Sequence, residues 1–130
     1  MDWRFDEFVH GSQDRPRGIV SGDLEAAPRA ELDVILSEHL GIKPYHEWTL
    51  PHYQRIGDGL GEIRFKVNNI QYRVYGSCGG EKVFRMWLVA TKSRIRKGKQ
   101  KTDPPNAIDK ARTRKRAYEL HKIGGLKEYV

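Results

Sequence analysis

The stretch LGEIRFKVNNIQYRVYGSCGGEKVFRMWLVAT, residues 60–91, decides the fold. Its first part, EIRFKV at 62–67, alternates without a break. Ile63, Phe65 and Val67 fall on one face of an extended chain, and Glu62, Arg64 and Lys66 on the other. Asn68-Asn69 follows, and asparagine tolerates the positive φ that a two-residue hairpin turn demands. IQYRVY at 70–75 then sets Ile70, Tyr72 and Val74 on one face and Gln71, Arg73 and Tyr75 on the other. KVFRMWLVA at 82–90 is apolar almost throughout, which suits a central strand buried on both faces. The stretch reads as a three-stranded antiparallel meander.

Register follows from matching the apolar faces. A turn at 68–69 pairs Val67 with Ile70, Phe65 with Tyr72, and Arg64 with Arg73. For the second turn, a two-residue loop at Gly79-Gly80 would pair Val74 with Arg85 and put a charge in the core face. A three-residue loop, 78–80, instead pairs Val74 with Phe84 and Tyr72 with Met86, and Gly80 supplies the left-handed position it needs. That register predicts a row of three arginines, Arg64, Arg73 and Arg85, with Lys66, Gln71 and Trp87 in the row beside it. Like charges directly opposite cost up to about 1 kcal/mol per pair. A phosphate lying over the row would offset that cost, because guanidinium groups bind phosphate bidentately. The competing reading is that the arginines splay to water or pair with Glu62 or Glu81.

Outward from the meander the signals are looser. Residues 41–59 read as irregular, with Pro44, Pro51 and the turn Gly57-Asp58-Gly59. Leu32, Ile35, Leu36 and Leu40 recur at helical spacing and predict a helix over 23–40, capped by Ser21 or Asp23, ended by Gly41 and open to a break at Pro28. Residues 10–22 read as a loop, and residues 2–9 as a short strand or a helix start. Downstream, 92–101 is a basic run holding Lys92, Arg94, Arg96, Lys97, Lys99 and Lys101, and reads as a loop. A final helix runs to about 122, capped by Thr102 or Asp103 with Pro104 in its first turn, and Gly124-Gly125 end it. Ile108, Ala111 and Tyr118 form its apolar stripe; Lys110, Arg112, Arg114, Lys115 and Arg116 cover the rest. The expected class is α+β in one domain, 1–130: a small antiparallel sheet with N-terminal helices on one face and a C-terminal helix. Residues 1–22 are an N-terminal extension and 92–102 a basic loop.

Composition narrows the function classes. Across 130 residues, 24 Lys+Arg face 17 Asp+Glu, a net charge of +7 with a pI near 9.6. That balance favours polyanionic partners through counterion release, although a basic protein without a nucleic-acid role carries such charge equally well. The single cysteine, Cys78, excludes an internal disulfide and points to a reducing cytoplasm. The segment MDWRFDEFVH has no apolar signal core, and no stretch is long enough to span a membrane. Zinc-ligand spacing is absent.

Three segments carry a resemblance. GDGLGEIRFKVNNIQYRVYG at 57–76, the apolar strand after it, and KQKTDPPNAIDKARTRKRAYE at 99–119 resemble the Gp49-like branch of the RelE/HigB toxins, a bacterial and phage family, across residues 23–121. The resemblance implies a type II toxin that cuts messenger RNA in the A site of the small ribosomal subunit. It implies in-line attack of a ribose 2′-hydroxyl, with no metal or other cofactor, and neutralisation by an acidic antitoxin. Basic side chains orient the phosphate, stabilise its developing charge and move protons. Carried over by position, Arg64 and Lys66 match the basic pair of the first meander strand and Arg73 the phosphate clamp. Lys92 or Arg94 matches the basic residue after the last strand, and Tyr118 the tyrosine that stacks on a base in some relatives. Residues 93–100 are inserted relative to the family's compact Lys-Lys-Thr segment.

Other basic and aromatic residues offer contacts to RNA. Arg85, Trp87, Arg96, Lys97, Lys99, Lys101, Arg112 and Arg116 are candidates, with Trp87 able to stack a base if it flanks the arginine row. Trp3 and Trp48 read as core. His46 and His52 read as exposed or packing histidines, because spacing places no carboxylate beside them. The alternative functions are a non-catalytic protein on the RelE/ParE scaffold, such as a phage host-takeover factor or gyrase inhibitor, and a nucleic-acid-binding module without cleavage.

Overall fold

The computed structural model describes residues 3–12, 14–94 and 100–130. In chain order these form β1 (Arg4–Ser12), β2 (Arg15–Gly18), α1 (Ala26–Val34), β3 (Tyr53–Gly57), β4 (Leu60–Val67), β5 (Ile70–Gly80), β6 (Val83–Arg94), β7 (Gln100–Asp103), α2 (Ala107–His121) and β8 (Gly125–Glu128). The class is α+β, as expected. The sheet is larger than expected and mixed: eight strands, with β1 running parallel to β6 and the other pairs antiparallel. Among the described residues no helix is long and apolar enough to cross a membrane.

The first hairpin forms as its sequence dictates. Asn68 and Asn69 adopt φ of 51° and 65°, the mirror-image turn whose twist matches the strands. Val67 pairs with Ile70, Phe65 with Tyr72 and Arg64 with Arg73. The Phe65 and Tyr72 rings stack across the pair at 5.2 Å, and Ile63 and Val74 beside them are fully buried.

The second hairpin differs from the expected one. β5 continues as strand through Gly80, and the chain turns at Glu81-Lys82, with Lys82 at φ 55°. Arg73 therefore faces Ala90, Gln71 faces Lys92, and Arg85 faces Ser77. The glycines are the reason. They read as turn residues, yet two of them are strand positions over which partner side chains lie. A Cβ on Gly76 would stand 2.4 Å from the Phe84 ring, and one on Gly79 2.3 Å from Arg85 Nε. An irregularity between Tyr75 and Gly76 then leaves Trp87 as an extra residue on β6. Trp87 and Leu88 both pack on the α2 side, so the face pattern switches within one strand.

β6 is the central strand, as its composition predicts. β5 borders one edge; β1 at Val83–Met86 and β7 at Thr91–Arg94 share the other. Residues 4–12 thus form an inner strand of the sheet, and β2 and β3 occupy segments expected to be irregular. Phe5 is buried in the core, while the buried Glu7 Oε1 accepts hydrogen bonds from the Val20 and Ser21 amides, both at 2.9 Å, and so orders the turn after β2. A single N-terminal helix forms instead of several. α1 begins after Glu25, so Pro28 falls in its first turn, where a missing N–H breaks no helical bond. The helix continues as a wider π turn, Ile35–Leu40, closed by the Gly41 amide donating to the Leu36 carbonyl at 2.7 Å. At the other end Asn106, in the left-handed region, precedes α2 rather than Thr102 or Asp103.

Two cores flank the sheet. Leu32, Ile35 and Leu36 of the first helical segment cover Ile63, Val74 and Phe84. On the other face α2 buries Ala107 and Ala111 against Tyr75, Trp87 and Leu88. α2 packs mainly on β6 and β5. Among the described residues, none from α2 lines the cleft bounded by Arg64, Lys66, Gln71 and Arg73.

Candidate functional site

Strand pairing assembles one cationic surface on the α2 side of the sheet. Arg64 stands opposite Arg73; in the next row Lys66 faces Gln71, which faces Lys92 on β6. Alternation puts all five side chains on the same face. Arg73 is 6% exposed and Glu62, one step back on β4, is also buried. The Glu62 carboxylate lies 3.8 Å from Arg64 Nε and 3.9 Å from Arg73 Nε. Those separations carry Coulomb attraction but exceed hydrogen-bond length. Arg73 donates Nη1–H to the Tyr72 carbonyl and Nη2–H to Gln71 Oε1, both at 3.0 Å, while its buried Nε–H has no hydrogen-bond partner. Arg64 donates to Gln54 Oε1 at 3.1 Å.

Electrostatics follow from that crowding. Burial first, and the Arg64 charge second, lower the Arg73 pKa from its usual value, while Glu62 pulls it back. Burial first, then Glu62, pushes the Tyr75 hydroxyl up. One buried carboxylate thus serves two guanidinium groups and leaves the local charge positive. The arrangement can attract an anionic oxygen by its net positive charge.

The arginine pair opens into a cleft of about 510 Å³. Arg64, Lys66, Gln71 and Arg73 form one side; Glu31, Ile35, Leu50, Pro51, His52 and Phe65 form the other. The His52 carbonyl accepts from the Arg64 amide at 2.8 Å. Its imidazole stacks on His39 with centroids 4.2 Å apart. Burial and then His39 lower the His52 pKa, so the ring is neutral near pH 7. His52, read from sequence as a bystander, belongs to the cleft. No spacing signal announces it, because it arrives through β3 pairing with β4, twelve residues ahead of Arg64. The Leu50-Pro51 wall comes with it, whereas Glu31 reaches the cleft from α1, again without a spacing signal.

The other candidates separate from this cleft. Lys92 lies across Gln71 and lines a neighbouring recess with Tyr75, Thr102 and Arg112. Arg94 ends β6, and its side chain, with Arg96, Lys97 and Lys99, falls outside the described residues. Lys101 is exposed on β7 next to Thr102, so alternation turns it from Lys92. Arg85 does not join the row. Its guanidinium lies over the Tyr118 ring at 5.2 Å. Nor does Trp87, which is wholly buried and donates to Ser77 Oγ at 2.8 Å. Tyr118 is occupied by Trp87, Arg85 and Lys122. Arg112 pairs with Asp58 at 3.5 Å and shares a recess beside α2 with the exposed Arg116.

Among the described residues no group of three His, Cys, Asp or Glu side chains is placed to hold a metal ion. No protein-family model, no curated protein and no solved structure matches this chain.

Proposed function

We propose that this chain is a ribosome-dependent messenger-RNA endoribonuclease, a type II toxin of the RelE/HigB kind held in check by an acidic antitoxin. The observation that supports it is the opposition of Arg64 and Arg73 across β4 and β5, with Lys66 and Lys92 in the adjoining row. In this reading the two guanidinium groups grip the non-bridging oxygens of one phosphate. The ribose 2′-hydroxyl gives its proton to a water molecule as its oxygen attacks the phosphorus in line; the bond to the 5′-oxygen breaks, that oxygen takes up a proton, and a 2′,3′-cyclic phosphate forms. Charge gathers on the phosphoryl oxygens in the transition state, where fixed cationic donors stabilise it most. In this reading Lys66, which lines the cleft with the arginines, protonates the departing 5′-oxygen, and Lys92 adds positive charge beside it. Gln54 and Gln71 orient the two arginines by hydrogen bonds, and Glu62 offsets part of their charge. Action on translating ribosomes places the protein in the cytoplasm.

Mapping of messenger-RNA 5′ ends in cells tests the proposal. Wild type should produce new codon-aligned ends, and Arg73→Ala should lower their yield by about 10²- to 10³-fold. A toxic wild type that leaves no such ends overturns the ribonuclease; changed plasmid supercoiling in the same cells would favour a gyrase inhibitor. A binding module without cleavage draws support from Glu62, since a carboxylate beside the clamp weakens a second negative charge there. RNA bound by wild type without any cleavage on ribosomes would select that reading.

A further inference from the structure

The cleft is divided by chemistry. Its β4–β5 side carries Arg64, Lys66 and Arg73, while Leu50, Pro51 and His52 offer apolar and flat surface on the other. We infer that this second side is a nucleobase subsite, in which the base of the nucleotide whose phosphate meets Arg64 and Arg73 packs on the His52 imidazole and Pro51. The inference rests on the phosphate reading of the arginine pair and adds where the base goes.

Size is the first argument. A cleft of about 510 Å³ lies in the range of small-ligand sites and greatly exceeds what one phosphate fills. Leu50 lines the cleft and is 53% exposed, so apolar surface stands beside three cations and suits an occupant with a charged end and an apolar end. A nucleotide has both.

His52 is the second argument. His39 backs one face of its ring at 4.2 Å, and the Arg64 amide ties its backbone at 2.8 Å. The ring is thus fixed beside the phosphate clamp, and burial keeps it uncharged near neutral pH. A fixed, neutral, aromatic plane is a surface on which a base stacks without regard to sequence.

Polar groups complete the site. Arg73 donates to Gln71 Oε1 and so fixes the direction of the amide. Among the described residues no hydrogen bond uses the Gln71 amide nitrogen, which leaves its N–H donors for ring nitrogens or carbonyls of a base. Among the described residues Glu31 is the one acidic side chain lining the cleft. It disfavours a second phosphate on that side and accepts N–H groups, which sets the polarity of the bound nucleotide.

Calorimetric titration with inorganic phosphate and with adenosine 3′-monophosphate separates the two layers of the argument. Wild type should bind the nucleotide at least about tenfold tighter than phosphate, one stacked base being worth ~5- to 150-fold. His52→Ala should lower nucleotide affinity about tenfold or more and leave phosphate affinity within about twofold. His52→Phe, which keeps a flat ring, should restore the nucleotide preference. Nucleotide bound no tighter than phosphate overturns the subsite and leaves the clamp standing. Equal loss of both ligands in His52→Ala, without rescue by His52→Phe, overturns it too. Phosphate failing to bind wild type removes the clamp itself, and the subsite with it.

Discussion

Two arginine neighbourhoods share one face of this sheet and behave differently. Under α2, Arg114 donates to the Trp87 carbonyl at 2.8 Å and lies over the Phe8 ring at 4.4 Å, while Arg85 lies over Tyr118. Beyond the reach of α2, Arg64 and Arg73 face each other with Glu62 loosely between them, and Arg73 Nε–H lacks a hydrogen-bond partner. The residue type is the same; the covering differs. A guanidinium spent on aromatic rings and carbonyls fastens a helix, whereas one left under a cleft can serve a ligand.

Three variants break or sharpen that contrast. Arg73→Lys keeps the charge but loses the planar fork, so codon-aligned cleavage should fall about 10- to 100-fold while the urea midpoint barely moves. Equal activity in Arg73→Lys would mean the clamp works by charge alone. Arg114→Ala should do the reverse: a loss of about 1–2 kcal/mol in urea denaturation, with cleavage retained per folded molecule. The smallest effect concerns His52. Its folded pKa lies below the ordinary 6.5. The stability it contributes is therefore present above about pH 6.5 and lost as pH falls through the lowered value, because the unfolded chain takes up the proton first. Wild type minus His52→Gln, followed by thermal denaturation between pH 7.5 and 5, should shrink toward the acid end. A constant difference would mean that burial and His39 do not lower the His52 pKa in the folded chain.

The two hairpins explain how much was legible. Residues 62–75 alternate strictly around Asn68-Asn69, and only one register buries Phe65 against Tyr72, so Arg64 opposite Arg73 could be read directly. Residues 76–82 hold Gly76, Gly79 and Gly80, which punctuate turns when nothing else is known. Here they are strand residues beneath Phe84 and Arg85, a role visible only once those side chains are placed. A turn at 78–80 puts Arg85 in the arginine row and Trp87 beside Lys66 and Gln71, where the structure has Ala90 and Lys92.

Local chemistry alone set the antiparallel β4–β5 pair, the helical periodicity of Leu32, Ile35, Leu36 and Leu40, the central burial of β6 and the excess positive charge, because each depends on neighbours a few residues apart. Long-range packing decided the rest. β1 joins β6 across some eighty residues of chain. The 50–52 segment reaches the open edge of β4 through β3, and α2 ends short of Arg73. Such contacts arise from filling space between distant segments, and no pattern within either segment records its partner.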